Sequence, residues 1–390
     1  MKHIKMIMVL FLLACLLPLV AAADEYPFLL TAGGSFGYCR DDQGTLLVYG
    51  DNQFGQLGKG GKAQSKRPAV FASKNSEIDV AHIREIYAGC DYSFFLMDDG
   101  TIYGVGNNAY NPLLLGLNRS MAATHVRIPL EDRTIVKMAC GFGQVLALNE
   151  AGEVWAWGRN SDGQVGCGTT KKVTAPQKLP LTDIVDIAAG GKFSLALDKD
   201  GVLWGWGKNE SHQLSNGKEK YFPSPVKIDI GSIRPAFIDA GGETVSVVDT
   251  EGKLWMWGRN DVCQIGIDTK KQTVLEPRLF EELPAPVVFM DSYNSQTYVI
   301  LSDGSLWGWG NNRSGQLGIG KKTVGSPVSM IWPSDVIYVT SFDVTMNCVL
   351  KDGTVLACGS NKFGQFGSAK VTDFHIPKIQ ENGMKLFGTN

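Results

Sequence analysis

The sequence predicts an all-β fold, a seven-bladed β-propeller built from repeats of about 50 residues. Three observations predict it. One glycine- and tryptophan-rich motif returns seven times at a nearly constant stride. Each copy reads as short strands joined by tight turns. Units of this size cannot bury their own faces, so they must stack, and a closed ring of them leaves no long exposed edge strand.

The motif is clearest as DGSLWGWGNNRSGQLGIG from Asp303. It returns as QGTLLVYGDNQFGQLG from Gln43, DGTIYGVGNN from Asp99, AGEVWAWGRNSDGQVG from Ala151, DGVLWGWGKNESHQLS from Asp200, EGKLWMWGRNDVCQIG from Glu251 and DGTVLACGSNKFGQFG from Asp352. The leading glycines, Gly44, Gly100, Gly152, Gly201, Gly252, Gly304 and Gly353, are spaced by 56, 52, 49, 51, 52 and 49 residues. A second glycine six residues later (Gly50 to Gly359) and an asparagine two beyond it (Asn52 to Asn361) match in all seven copies. A glutamine four residues after the asparagine is present in six, and the second copy has Pro112 there.

Within a copy, KFSLAL and VLWGWG flank DKDG, whose glycine supplies the positive φ of a hairpin turn. Trp204 and Trp206 alternate with Gly205, so both indoles share one side of a strand. Trp155/Trp157, Trp255/Trp257 and Trp307/Trp309 repeat the pairing, and Leu47/Tyr49, Tyr103/Val105 and Leu356/Cys358 replace it elsewhere. Bulk that fills the space between neighbouring sheets explains these residues better than an exposed aromatic platform. The second glycine and the asparagine read as turn chemistry. A proline-marked outer strand ends each copy, as in SPVKI from Ser224 and HIPKI from His375.

The pattern AAGxxxSLAL…DGxLWxWGxNxxGQLGxG resembles the repeat of the regulator of chromosome condensation family. The resemblance covers about residues 28–379 and implies a seven-bladed propeller, with repeats at 28–82, 83–134, 135–183, 184–233, 234–286, 287–335 and 336–379. It leaves function open, because such propellers serve as exchange factors, inhibitors and docking platforms. The tail 380–390 carries apolar Met384, Leu386 and Phe387 and is expected to clasp the ring beside the first strand.

Residues 1–23 read as a cleavable signal peptide: Lys2 and Lys5 precede an apolar run, and Ala21–Ala23 offer small residues before Asp24. The run is short for a membrane span, and Leu13 suits lipidation at Cys15 poorly. A secreted or periplasmic protein is expected. Removing these residues leaves 35 basic and 39 acidic side chains, with no basic stripe, which argues against nucleic-acid binding. Seven cysteines remain, an odd number that a complete disulfide framework cannot use. Cys39 and Cys348 occupy equivalent strand positions in the first and last repeats, so a bridge across the closure and simple packing both stay open.

Catalytic and ligand motifs are weak. Gly315–Lys321 spells G-x-x-x-x-G-K, but Lys322 stands where Ser or Thr should bind magnesium, and no helical pattern follows. His82, His125, His212 and His375 are scattered and suit surface or turn positions. The DDG at Asp98 and DKDG at Asp198 lack the other ligands of a calcium loop. No metal and no cofactor are expected.

Residues that vary between copies carry more information about function. The turns between the first two strands of each blade gather on one ring face and read GGSFG, GCDYS, GFGQV, GGKFS, GGETV, YNSQT and FDVTM. The family commonly has histidine before the serine of SLAL, whereas this chain has Phe36, Tyr92, Gln144, Phe193, Thr244, Gln296 and Thr345. Phe36, Tyr92, Phe142, Phe193, Tyr293 and Phe342 form a candidate protein-binding rim, with packing against the next blade as the competing reading. The irregular NNAYNPLLLGLN from Asn107 is a second candidate surface. The expected function is a monomeric, non-enzymatic propeller that binds another protein. Nucleotide exchange on a small GTPase is the first alternative. An enzyme acting on polysaccharide in the central channel is the second, with Asp91 and Asp343 as isolated candidate acids.

Overall fold

The computed structural model describes residues 30–41, 43–72, 77–116, 118–214, 217–267, 272–320, 324–329, 335–366 and 374–379. The expected signal peptide at 1–23, with Cys15, and the expected clasp at 380–390 lie outside the described residues. Seven four-stranded antiparallel sheets are present, each from strands consecutive in the chain. Blade 1 holds β1 (Leu30–Ala32), β2 (Phe36–Arg40), β3 (Leu46–Gly50) and β4 (Ser65–Val70); blade 2 holds β5 (Ile83–Ala88), β6 (Tyr92–Met97), β7 (Ile102–Asn107) and β8 (Met121–Arg127). Blade 3 holds β9 (Ile135–Cys140), β10 (Gln144–Asn149), β11 (Val154–Gly158) and β12 (Gln177–Lys178); blade 4 holds β13 (Ile184–Ala189), β14 (Phe193–Asp198), β15 (Leu203–Lys208) and β16 (Tyr221–Lys227). Blade 5 holds β17 (Pro235–Ala240), β18 (Thr244–Asp249), β19 (Leu254–Arg259) and β20 (Thr273–Leu279). Blade 6 holds β21 (Val287–Tyr293), β22 (Gln296–Leu301), β23 (Leu306–Gly310) and β24 (Val324–Ser329); blade 7 holds β25 (Val336–Phe342), β26 (Thr345–Leu350), β27 (Val355–Gly359) and β28 (Phe374–Ile379).

The first strand of every blade is innermost, and consecutive first strands approach one another around the whole ring, β25 returning to β1. Side chains on the blade faces interlock with the next blade. Phe193, Leu195 and Leu203 of blade 4 pack with Val245, Val247 and Trp257 of blade 5. At the closing joint Leu30, Cys39 and Tyr49 meet Val349 and Val355 of blade 7. Backbone closeness repeats there too. A Cβ at Gly364 would lie 2.5 Å from the Lys66 Cα of β4, as one at Gly55 would from Ala123 of β8.

The second tryptophan of each pair is interface filler, whereas the first, Trp155, Trp204, Trp255 or Trp307, is half-buried against the same clusters. Trp157, Trp206, Trp257 and Trp309 are fully buried. Each donates its indole N–H to a backbone carbonyl of the preceding blade: Trp157 to Pro112 (2.8 Å), Trp206 to Gln164 (2.9 Å), Trp257 to Gln213 (2.9 Å) and Trp309 to Gln264 (3.0 Å). In blade 7 the Cys358 thiol takes this role on Gln316 O at 2.9 Å.

The recurring asparagine pins the loop after the third strand. In all seven copies its Oδ1 accepts the N–H five residues on, from Leu57, Leu113, Val165, Leu214, Ile265, Leu317 and Phe366. This explains why the P-loop lookalike is not an anion cradle. The Leu317 N–H goes to Asn312 Oδ1, Gly315 N to Asn312 O and Gly318 N to Gly315 O, and a strand follows. The acid of DKDG is likewise consumed: Asp198 accepts from the N–H groups of Asp200 and Val202 and from the Trp204 indole.

Two expectations need correction or resolution. His125 is no surface residue: it is buried against Phe95 and Phe71, its ring 4.4 Å from that of Phe95, and burial pushes its pKa down to about 3. No disulfide joins Cys39 and Cys348. Cys39 packs at the joint of blades 7 and 1, whereas Cys348 packs with Tyr298 and Met346 between blades 6 and 7.

Candidate functional site

The six aromatics of the expected rim divide into two groups. Phe36, Tyr92, Phe193 and Phe342 are buried, which leaves half-buried Phe142 and Tyr293 as the rim rings open to a partner. Phe36, Tyr92 and Phe193 each start the second strand of their blade and wedge beneath the turn that precedes it. The Phe193 ring sits directly under Gly190, where a Cβ would fall 2.1 Å from the ring and 2.7 Å from Gly241 O of the next blade. Tyr92 reaches across and donates to Gly141 O at 2.9 Å. Gln144 and Gln296, at the same position, donate to Gly190 O (2.8 Å) and Asp343 O (2.7 Å). In blades 1 to 4 and 6 the position is therefore an inter-blade brace, filled by a ring or an amide, whereas blades 5 and 7 carry Thr244 and Thr345, the latter bonding to Phe342 O of its own turn at 3.0 Å.

Phe142, Tyr293 and Phe342 are different, because they belong to the turns themselves. Where blades 1 to 5 carry glycine (Gly33, Gly89, Gly141, Gly190 and Gly241), β21 and β25 run on to Tyr293 and Phe342, which pair with Gln296 and Thr345 across tight turns. Asn294 (φ +50°) and Asp343 (φ +48°) accept the left-handed backbone that these turns require. The rings of Tyr293 and Phe342 stack at 3.7 Å, and Phe142 of blade 3 reaches Tyr293 from across the ring at 5.7 Å. The Tyr293 hydroxyl meets the Cys90 thiol of blade 2 at 3.2 Å. Burial pushes that thiol's pKa up to about 12, so it is no reactive thiolate. Four blades thus close the central channel at this face.

Above the aromatic cluster lies a cavity of about 380 Å³, lined also by Asp51, Asp91, Asp343 and Phe363. The two acids that looked isolated in the sequence converge here, and Asp51 joins them. Burial pushes the Asp91 carboxyl upward, against the opposing bond from Asn107 and with the charge of Asp51 adding to it. In the second candidate surface, Tyr110 is 50% exposed under the Arg159 guanidinium, whereas Leu113 is buried filler.

On the opposite face a cavity of about 820 Å³ is lined by the inner strands and neighbouring turns of blades 4 to 6, with Lys137 of blade 3. The inner strands of blades 2 to 7 each carry a β-bulge. In blade 4 it turns Val185, 44% exposed, and Asp186 toward this cavity, while Ile184 and Ile187 on either side stay buried. Phe237 and Phe289 line the wall. Lys137 pairs with Asp186 at 2.5 Å, and carboxylates staple the inner strands together: Asp186 accepts from Ile238 N (3.1 Å), Asp239 from Ser292 N (2.7 Å) and Asp291 from Ser341 N (2.8 Å). Burial raises Asp239 to about 6 and Asp291 to about 7.

Sequence reasoning missed Asp51, Phe363, the bulges and the carboxylate staples. The signal for the staples was present as an acid in apolar surroundings in IVDIAA, FIDAGG and FMDSY. Among the described residues no group of three His, Cys, Asp or Glu side chains is placed to hold a metal ion. No helix among them is long and apolar enough to cross a membrane.

The family model described as RCC1-like domain matches residues 28–341. The chain belongs to the RCC1-like family. This RCC1-like propeller is 32% identical over 303 residues to the human X-linked retinitis pigmentosa GTPase regulator, covering 76% of this chain and 29% of that protein. It is 32% identical over 327 residues to the human probable E3 ubiquitin-protein ligase HERC4, covering 70% of this chain and 26% of that protein. The chain therefore spans under a third of either relative's length. Among solved structures it superposes on Prp20p from Saccharomyces cerevisiae with a TM-score of 0.77 at 20% identity, over 92% of this chain and 89% of that one. Human WBSCR16 gives 0.71 at 23% identity, over 80% of this chain and 83% of that one. At these identities the structures speak to the fold.

Proposed function

We propose that this chain is a non-catalytic, protein-binding propeller that acts outside the cytoplasm after export through residues 1–23, docking its partner as a monomer on the face that carries the turns after the inner strands. The observation that carries this reading is the aromatic cluster of Phe142, Tyr293 and Phe342, which rigid blades hold at the channel mouth beside a cavity. Aromatics fixed on a scaffold bury large area with little loss of side-chain freedom, which suits a binding hot spot. The solved complex of Kap60 with yeast RCC1 (Prp20) supports the reading, since that propeller is a binding partner of another protein.

The test is affinity capture from culture fluid or periplasm with the tagged mature chain, followed by repetition with Tyr293→Ala and Phe142→Ala. Both variants should lose the captured partner while keeping the melting temperature of the parent. Phe193→Ala serves as the contrast, because removing that fully buried ring costs about 3–5 kcal/mol of stability. Undiminished capture by both mouth variants would reject this face.

Regulation of a small GTPase is the second reading. It is favoured by the printed name of the human GTPase regulator and by the described binding of Prp20p to Gsp1p. Accelerated nucleotide release from a GTPase panel would replace the first reading with this one.

A further inference from the structure

The face that carries the mouth is electrostatically divided. Over blades 3 to 5 its cations are already answered. Lys192 meets Asp162 at 3.6 Å, Lys208 meets Glu243 at 2.6 Å and Glu210 at 3.0 Å, and Arg259 meets Asp261 at 2.6 Å. Arg159 lies 4.4 Å over the Tyr110 ring. Over blades 7, 1 and 2 the balance reverses. Asp343, Asp51 and Asp91 line the cavity, and among the described residues no ion pair involves any of the three.

These carboxylates are answered by neutral groups. Gln56 and Gln64 carboxamides reach Asp51 at 3.3 and 3.4 Å, and Asn294 reaches Asp343 at 3.2 Å. Asp51 is only 3% exposed, so its charge is enclosed with amides around it. Lys362, which follows the third strand of blade 7, stands 5.5 Å over the Phe363 ring and, among the described residues, does not bridge to an acid. Asp51 is buried, Asp91 half-buried and Asp343 exposed at the rim, and acids met by neutral groups in this way leave a favourable place for an incoming cation.

The non-polar part of the same cavity is aromatic, with Tyr293 and Phe342 stacked and Phe142 and Phe363 beside them. A planar, weakly hydrated cation that stacks on rings and bridges carboxylates fits both halves, and guanidinium is that cation. A cavity of about 380 Å³ holds a side chain and not a folded element.

We propose that the channel mouth is an arginine-recognition pocket, in which a partner protein inserts a guanidinium between Asp91 and Asp343 and against the half-buried Tyr293 and Phe142 rings, with buried Phe342 backing Tyr293. The proposal rests on the docking face of the preceding section and names the chemistry of the partner that fits it. Asp51 contributes its field from beneath, and the cations Lys192, Lys208 and Arg259, each paired with an acid, offer no competing place for the guanidinium.

The experiment uses fluorescence anisotropy on the mature chain with a labelled peptide of alternating glycine and arginine, and with lysine and citrulline counterparts. The arginine peptide should bind saturably and weaken as salt rises from about 0.05 to 0.5 M. The neutral citrulline peptide should not bind, and the lysine peptide should bind at least about fivefold more weakly. The isosteric double variant Asp91→Asn/Asp343→Asn should lose about tenfold or more in affinity for the arginine peptide. Equal binding of the citrulline peptide, or wild-type affinity in the double variant, overturns the proposal. The comparison of peptides on the parent protein needs no variant to fold. If Tyr293→Ala abolishes partner capture while Asp91→Asn/Asp343→Asn leaves it intact, the docking face stands and the arginine pocket falls. If neither changes capture, both fall.

Discussion

Replacing Trp257 by phenylalanine should cost more stability than the same replacement at Trp206, although both indoles are fully buried and make bonds of equal length. The difference lies with the cross-strand neighbour. Ser194 pairs with Trp206, and its hydroxyl also donates to Gln164 O at 2.9 Å. Val245 pairs with Trp257 and has nothing to donate, so Gln213 O relies on the indole. Shrinking either ring leaves a similar void, so that contribution cancels. Each variant loses one hydrogen bond, worth about 1 kcal/mol. Trp257→Phe additionally strands a buried carbonyl, at about 1–3 kcal/mol. The expected gap is about 1–3 kcal/mol, or roughly 1–4 °C in melting temperature for a chain of this length, read by circular dichroism on the two variants side by side. Val245→Thr should narrow the gap in the Trp257→Phe background, because Thr297 makes that bond to Gln264 O at 3.1 Å in blade 6. Equal losses at the two sites, or no rescue by threonine, would refute the reasoning.

Stability should also respond to the channel acids and to one glycine. Asp239 and Asp291, raised by burial to about 6 and about 7, exceed the unfolded value of about 3.9. The folded chain therefore binds protons that the unfolded chain has released. This contribution is complete below about pH 4 and disappears as pH rises through about 6 to 7. Asp291→Asn should gain in melting temperature relative to the parent between about pH 5 and 8, and parallel profiles would contradict this. Gly44→Ala, at φ +76° with open space around it, should cost about 1–2 kcal/mol. Gly166→Ala, at φ +82° with Trp206 Nε1 2.7 Å from the new Cβ, should cost clearly more in the same thermal assay.

The architecture was legible because ring packing forces the same residues to recur. Gly50 and its six counterparts all take positive φ, and Asn52 and its counterparts all pin a loop, so a single sequence displays the constraint seven times. The site was legible in part. Tyr293 and Phe342 stand where other turns have glycine, a departure visible by alignment of the copies. Phe36, Tyr92 and Phe193 begin strands, and alternation alone does not say whether such a ring points to solvent or under the neighbouring turn. Here the space left under glycine in the preceding turn took the rings, and Tyr92 alone also donates to a carbonyl of the next blade. The convergence of Asp51, Asp91 and Asp343 from three blades, far apart in the chain, was beyond any local pattern.

The inner-strand bulges have a consequence for how such a protein diversifies. The exposed member of the bulge, Val136 in blade 3 or Val185 in blade 4, is detached from the packing that its buried neighbours maintain. Mutation there can recolour the bore from greasy to ionic, blade by blade, without loosening the joints between blades. The acid beside it, as at Asp186, is tied to the next inner strand and is not free to drift in the same way.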